Sequence, residues 1–225
     1  MTDRPILFSA PMVRALLAGT KTQTRRVMNP QPSGIASATR FMNASWTLMP
    51  ESARCSVDFK APRFAIGDRL YVREAWRCNG WATDVATIMY RASEGDGYTA
   101  MTEQYPVKGK KPLRTTGTWH PGLHMPRWAS RLTLTVTEVR VQRIQEISAA
   151  DAQEEGVERR SLKVRQIDLF GADAQQRAYI YLQACRWEYE DLWNHLNAAR
   201  GYGWATNPWV VAVSFSVARR NIDTP

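Results

Sequence analysis

The sequence is poor in the residues that mark secreted, membrane-bound or zinc-binding proteins. It has three cysteines in 225 residues, spread far apart (Cys55, Cys78 and Cys185) with no CxxC pair, so neither a disulfide framework nor a zinc site is indicated. No apolar run approaches the ~20 residues that cross a bilayer, and no apolar signal segment follows Met1–Pro5. These absences predict a cytoplasmic protein without a membrane partner.

Acidic residues are also few, with 21 Asp and Glu against 30 Lys and Arg, for a net charge of +9. The excess lies in residues 1–145, where 21 basic residues face 10 acidic ones, and 24 of the 30 basic residues are arginine. Arginine grips phosphate and stacks on bases through its planar fork, and nine tryptophans add stacking surfaces. The composition favours a nucleic-acid or nucleotide partner; the alternative is a solvated basic surface around a tryptophan-rich core.

The order of predicted elements favours one folded α+β domain over residues 1–225. A strand at Pro5–Phe8 precedes a helix that begins at Ser9 and ends at Gly19, and a second strand starts at Thr22. Residues 29–62 read as a long loop with a hairpin near Ala44–Met49. Further strands are predicted at 70–76, 86–91, 132–144 and 209–217, and further helices at 148–155 and 174–199. About six strands with peripheral helices predict a small mixed β-barrel.

Two polar features stand out from this pattern. The run Lys21–Arg26 follows the first helix and alternates, which places Lys21, Gln23 and Arg25 on one face of a strand and Thr22, Thr24 and Arg26 on the other. Glu74 shares the apolar face of the 70–76 strand. A buried carboxylate costs several kcal/mol unless it is paired, so Glu74 needs a cationic partner or a solvated face.

The segment Trp119–Arg131 packs two Trp, two His and two Arg between Pro and Gly breakers. His120 and His124 have HxxxH spacing, but Pro121 and Gly122 prevent the helix that would align them on a metal. We therefore predict no metal and no cofactor.

Several of these motifs resemble the ASCH domains, the activating-signal-cointegrator homology relatives of the PUA fold. The opening motif is Phe8–Arg26, with its Gly-Thr-Lys-Thr-Gln-Thr-Arg-Arg end, and the second is the Gly67-Asp68 turn that leads to Glu74 and Trp76. Residues 139–156 look like the helix after the barrel. Residues 124–131 and 207–210 look like the longer ASCH form carried by phages and prophages.

The resemblance implies a PUA-like β-barrel whose cleft accepts RNA or a modified nucleoside. Against the short ASCH proteins, this chain has insertions at about 29–62 and 92–130 and a helix-strand extension at about 174–218. One short bacterial branch hydrolyses the amide of N4-acetylcytidine with threonine, lysine and glutamate. By motif, those catalytic roles fall on Thr24, Lys21 and Glu74.

Two functions therefore stand side by side. One is an amidohydrolase acting on an N4-acylated cytidine; a site of this kind needs a nucleophile, a base and oxyanion donors. The alternative is an RNA- or single-stranded-DNA-binding module, or a nuclease, without amidase activity. The predicted substrate- or nucleic-acid-binding residues are Thr22, Gln23, Arg25, Arg26, Arg73, Trp76, Trp119, His120, His124, Arg127, Trp128 and Arg131.

Overall fold

The fold is mixed α+β and divides into two compact units, each built from separate stretches of the chain. The structure is a computed structural model that describes residues 2–40, 46–50, 52, 58–95, 101–110, 117–157, 171 and 173–224. The first unit takes residues 1–19, 67–135 and 216–225, and the second takes residues 20–66 and 136–215. The predicted single domain stays a prediction.

The described residues form ten strands and three α-helices. The strands are β1 Asp3–Leu7, β2 Gln23–Val27, β3 Ile35–Arg40, β4 Trp46–Pro50, β5 Arg69–Arg73, β6 Trp76–Trp81, β7 Val85–Tyr90, β8 Thr102–Pro106, β9 Thr133–Arg143 and β10 Trp209–Ala218; the helices are α1 Ala10–Leu17, α2 Ala149–Glu154 and α3 Ala174–Asn197.

The first unit holds two sheet regions. Strand β1 runs parallel to β5, and β5 pairs antiparallel with the first residues of β9. A second sheet is the antiparallel meander β6-β7-β8. Its buried face carries Cys78, Ile88 and Tyr90, which pack with Met125 and Ala129 from the predicted Trp119–Arg131 segment. That segment forms two short 3₁₀ turns, since its prolines exclude a longer helix.

In the second unit the strand neighbours are β4-β3-β9-β10-β2, with β2 antiparallel to β10. Ser148 caps α2 as predicted, because its Oγ accepts the backbone N–H of Asp151 at 3.0 Å. Helix α3 packs Cys185, Tyr189 and Trp193 into the core of this unit. Their i, i+4 and i+8 spacing places the three side chains on one face of the helix.

Most predicted elements are present with shifted ends. The 70–76 run is two strands, β5 and β6, because the chain leaves the sheet at Glu74 and Ala75. The hairpin is β3 with β4; it begins earlier than 44–49, and residues 41–45 lie outside the described residues. A strand, β8, also occupies 102–106, where none was predicted, so the count of six strands was too low.

The described strands do not close into a ring of paired strands. The α+β class is therefore established, while the PUA-like barrel stays a prediction. Cys55 lies outside the described residues, as do residues 158–170 and 172. No helix in the described part of the chain is both long and apolar enough to cross a membrane.

Candidate functional site

The Lys21 ammonium lies buried in the second unit, where three oxygens accept its hydrogen bonds. Its Nζ donates to the backbone oxygens of Gln23 and Glu155 and to Glu155 Oε2, each at 2.8 Å. An ammonium has three donors, so these contacts use all of them. The backbones of Lys21 and Glu155 also form an isolated β-bridge, which brings the start of β2 against the end of α2.

Glu155 is the centre of a larger charge network. While its Oε2 faces Lys21, its Oε1 accepts from Arg25 Nη1 at 3.1 Å and from the Tyr189 hydroxyl at 3.4 Å. Arg25 Nη2 bonds Asp151 at 3.1 Å, and Asp151 also pairs with Arg140 at 3.0 Å. Asp151 and Glu155 are four residues apart, so the turn of α2 places both carboxylates on one face.

Burial governs the protonation of this network. Burial lowers the pKa of Lys21, and the facing Glu155 carboxylate opposes that shift. Burial alone would raise the pKa of Asp151, but its bonds to Arg140 and Arg25 hold it below the ordinary value. The network thus keeps an amine that loses its proton more readily than an exposed lysine, beside a carboxylate.

Two polar atoms in the same network have no hydrogen-bond partner among the described residues. They are Gln23 Oε1 and Arg25 Nε, both buried. The Gln23 amide is oriented by its Nε2, which donates to Asp151 and Glu154 at 3.3 Å and to Ser214 at 3.1 Å. A buried acceptor and a buried donor without partners are unusual in native proteins and are suited to a polar ligand.

The alternation predicted for this strand explains which residues join the network. Lys21, Gln23 and Arg25 all contact α2 or the residue that follows it. Thr24 is buried and pairs in register with Val213 of β10, and it belongs to the alternate set together with the half-buried Thr22 and Arg26. Period two therefore separates Thr24 from the Lys21 face.

Glu74 belongs to the first unit, and the cation predicted for it is Arg131. The Arg131 guanidinium donates to both carboxylate oxygens at 2.9 and 3.0 Å, and its third contact is Ser93 Oγ. Its carbon also lies 4.0 Å from the centre of the Tyr90 ring. Burial raises the pKa of Glu74, and the bidentate pair with Arg131 opposes that shift.

The other predicted binding residues of the first unit have mixed surroundings. Trp76 is buried in the core, and Trp128 packs edge-on against Trp81 and Tyr105. Arg127 forms ion pairs with Asp3 and Asp223. Arg73 and His120 are half-buried, and His124 is exposed. Arg73 Nη1 donates to the Leu123 carbonyl, and the His120 ring centre lies 5.2 Å from that of Trp76.

Trp119 carries a basic surface that sequence reasoning found only in part. The guanidinium carbons of Arg77 and Arg91 lie 5.0 and 4.9 Å from the centre of its ring. Arg14 of α1 reaches the backbone oxygen of Ala92 beside them. We call Arg14, Arg77, Arg91 and Trp119 the Trp119 patch.

Sequence reasoning missed both the carboxylate that faces Lys21 and the arginines that surround Trp119. The Glu155-Gly156 pair lies in the stretch that resembles the helix after an ASCH barrel, and Asp151 is one turn earlier on α2. The sequence around Asp151 and Glu155 predicted a helix. It gave no indication that Glu155 contacts Lys21, which is 134 residues away in the chain. Among the described residues no group of three or more His, Cys, Asp or Glu side chains could hold a metal ion.

Comparison with known proteins gives no match to a family model, a curated protein or a solved structure.

Proposed function

We propose that the chain is an ASCH-type protein of PUA-like fold that hydrolyses the amide of an N4-acylated cytidine. The observation that carries the proposal is the Lys21 environment: a buried amine of lowered pKa, a carboxylate at 2.8 Å, and two neighbouring polar atoms without partners. Perturbed titratable groups of this kind concentrate at functional sites.

The chemistry assigned by the resemblance needs a nucleophile and a base. In the proposed reaction, Lys21 in its neutral form accepts the proton of the Thr24 hydroxyl as the hydroxyl oxygen bonds the acyl carbon. The bond from that carbon to N4 breaks, and N4 takes the proton to leave as the cytidine amine. Water then hydrolyses the acyl ester and releases the carboxylic acid and free Thr24.

One of the three hydrogen bonds that Lys21 Nζ donates must break before this nitrogen can act as a base. Glu155 is the partner best suited to accept the proton that Lys21 loses. Both Lys21 and Thr24 are almost fully buried, and Thr24 belongs to the opposite face of β2. The proposal therefore also requires that substrate displaces part of their surroundings and that the start of β2 rearranges to bring the Thr24 hydroxyl to Lys21. Glu74 is bound by Arg131 in the first unit, so its catalytic role stays a prediction and the proposed step does not use it.

The test is turnover of N4-acetylcytidine by the purified chain, with cytidine and acetate measured together by chromatography. We expect stoichiometric release by the native protein and its loss in Lys21→Ala and Thr24→Ala. Lys60→Ala is the matched control, because Lys60 is an exposed lysine of the same unit. Absence of turnover by the native chain on the nucleoside, the free base and an acetylated oligonucleotide would refute the proposal.

A further inference from the structure

Two arginines of the Trp119 patch, Arg77 and Arg91, contact the indole, and the third, Arg14, donates to the backbone oxygen of Ala92, the residue after Arg91. Arg77 and Met89 pair directly across β6 and β7, and Arg91 lies two residues beyond Met89. Side chains alternate along strands, so Arg77 points away from its buried neighbour Cys78. Arg91 begins the 3₁₀ turn Arg91–Ser93 that follows β7. Arg77 is half-buried and Arg91 is exposed, and the guanidinium groups of both contact the Trp119 ring.

The charges of the patch are poorly neutralised. Within the part of the chain that the structure describes, Arg14 and Arg77 have no ion-pair partner, and Arg91 has only Glu94 at 3.9 Å. In that pair both side chains are more than half exposed (51 and 57%), which makes it weak. Arg77 instead points Nε and Nη2 at the Met89 sulfur at 3.3 and 3.2 Å, and a thioether is a weak acceptor.

Stacking organises these arginines for binding. A guanidinium over an aromatic ring gains cation–π attraction while its donors stay in its own plane, available to an anion. Two guanidinium carbons within 5.0 Å of one ring centroid concentrate positive charge on a half-buried indole. Folding holds like charges together here without a carboxylate between them, in contrast to Arg25, Arg127 and Arg131, which are bound by carboxylates.

We infer that the Trp119 patch is a binding surface for single-stranded nucleic acid, with Arg14, Arg77 and Arg91 contacting phosphates and Trp119 offering a stacking surface to a base. Phosphate-binding arginines interleaved with an aromatic platform are the features that single-strand binders share. An acidic peptide would match the charge but would make no use of the indole. The inference is independent of the hydrolase proposal, since the patch lies in the first unit and Lys21 in the second.

The experiment measures fluorescence anisotropy of labelled single-stranded RNA and DNA 20-mers, titrated with the full chain at about 50 and 200 mM salt. The test variant is Arg77→Gln/Arg91→Gln. Its matched control is Arg63→Gln/Arg200→Gln, which removes the same charge from two exposed arginines of the second unit. Melting curves show whether each variant is folded. Arg14→Gln is a second test variant, and because Arg14 is exposed on α1 its replacement should leave the core intact.

We expect micromolar binding by the native chain at low salt and a loss of about 10-fold or more in the patch double variant, with a change under about 3-fold in the control. Two lost phosphate contacts should also reduce the slope of log affinity against log salt by about 1.4. Trp119→Leu should weaken binding by about 5- to 150-fold, the range for one stacked base, with the salt slope unchanged. The RNA and DNA arms decide which polymer is preferred.

Three outcomes would overturn the inference. They are no binding of either polymer by the native chain at low salt, equal losses in the patch and control variants, and competition by polyglutamate as strong as that by unlabelled oligonucleotide. Because none of these measurements uses turnover, failure of the hydrolase proposal leaves them unaffected.

Discussion

Replacing Glu155 with glutamine tests the centre of the buried charge network. The substitution keeps the size of the side chain but removes the negative charge that faces Lys21 at 2.8 Å and Arg25 at 3.1 Å. Glu155 is 5% exposed and Lys21 0%, so solvent cannot replace the lost carboxylate without opening the second unit. Lys21 would face a neutral amide, and Arg25 would keep only Asp151 as a carboxylate partner.

The expected cost follows from this burial. Removing one partner of a buried ion pair costs about 3–5 kcal/mol, because the remaining charge stays desolvated. For a chain of this size each kcal/mol corresponds to about 2–4 °C in melting temperature, so Glu155→Gln should melt about 6–20 °C below the native protein. Burial also lowers the pKa of Lys21 against the opposing Glu155, so the variant should lower that pKa further.

The assay combines thermal melting by circular dichroism with NMR titration of the Lys21 Cε–Hε signals. Glu154→Gln is the control, since Glu154 is the adjacent carboxylate but is exposed, and its side chain accepts a hydrogen bond from Gln23 at 3.3 Å. We expect a change under about 1 kcal/mol. Lys21→Met/Glu155→Gln should cost less than the sum of its single variants, with a coupling of about 1–3 kcal/mol.

Equal melting temperatures for Glu155→Gln and Glu154→Gln would refute this reasoning, as would an unchanged or raised pKa of Lys21 in Glu155→Gln. If the hydrolase proposal holds, the acidic limb of the pH–rate profile should move to lower pH in this variant. That limb reports the group that must lose a proton before catalysis. The melting and NMR results stand whether or not the protein turns over an acylated nucleoside.

Three further predictions concern stability. Hydrogen bonds from Arg69 and then Arg127 hold the pKa of Asp3 below 3.8. The stability that this carboxylate contributes is therefore lost as pH falls below 3.8 through the folded-state pKa. Asp3→Asn should flatten that part of a curve of melting temperature against pH, and an unchanged curve would contradict the assignment. Gly122→Ala should lose about 1–3 kcal/mol in urea unfolding, because its Cβ would lie 3.0 Å from the Glu74 carbonyl carbon, whereas Gly80→Ala, with 3.9 Å of space, is the tolerant control. Ser148→Ala should cost about 1 kcal/mol by loss of the α2 cap, and threonine there should restore most of it.

Local pattern was enough to predict most elements of this chain. The alternation of Thr133–Arg143 and the capped helix at Ser148 are both present in the structure. Their signals are local, since side-chain period and capping depend on neighbours within a few residues. The division of 70–76 into two strands was missed because no local signal marks the break at Glu74 and Ala75; Glu74 there pairs with Arg131, 57 residues away in the chain.

The candidate site divides in the same way. From sequence alone, alternation placed Lys21, Gln23 and Arg25 on one face of a strand. The free-energy cost of burying a carboxylate predicted a cationic partner for Glu74 if its face was not solvated. Both expectations are met. Which group would satisfy each charge was beyond local reasoning. Glu155 is 134 residues from Lys21, and Arg131 is 57 residues from Glu74.

The sequence by itself therefore determined the α+β class, the element types and the faces on which the polar residues lie, because these depend on short-range periodicity and on the cost of burying charge. Only the tertiary structure decided the partners. It assigned Glu155 to Lys21 and Arg131 to Glu74. It also placed Arg77 and Arg91 against Trp119, with Arg14 bonded to the backbone of the residue after Arg91. Ion pairs and stacked rings form across distant segments, and their identity follows from how those segments pack.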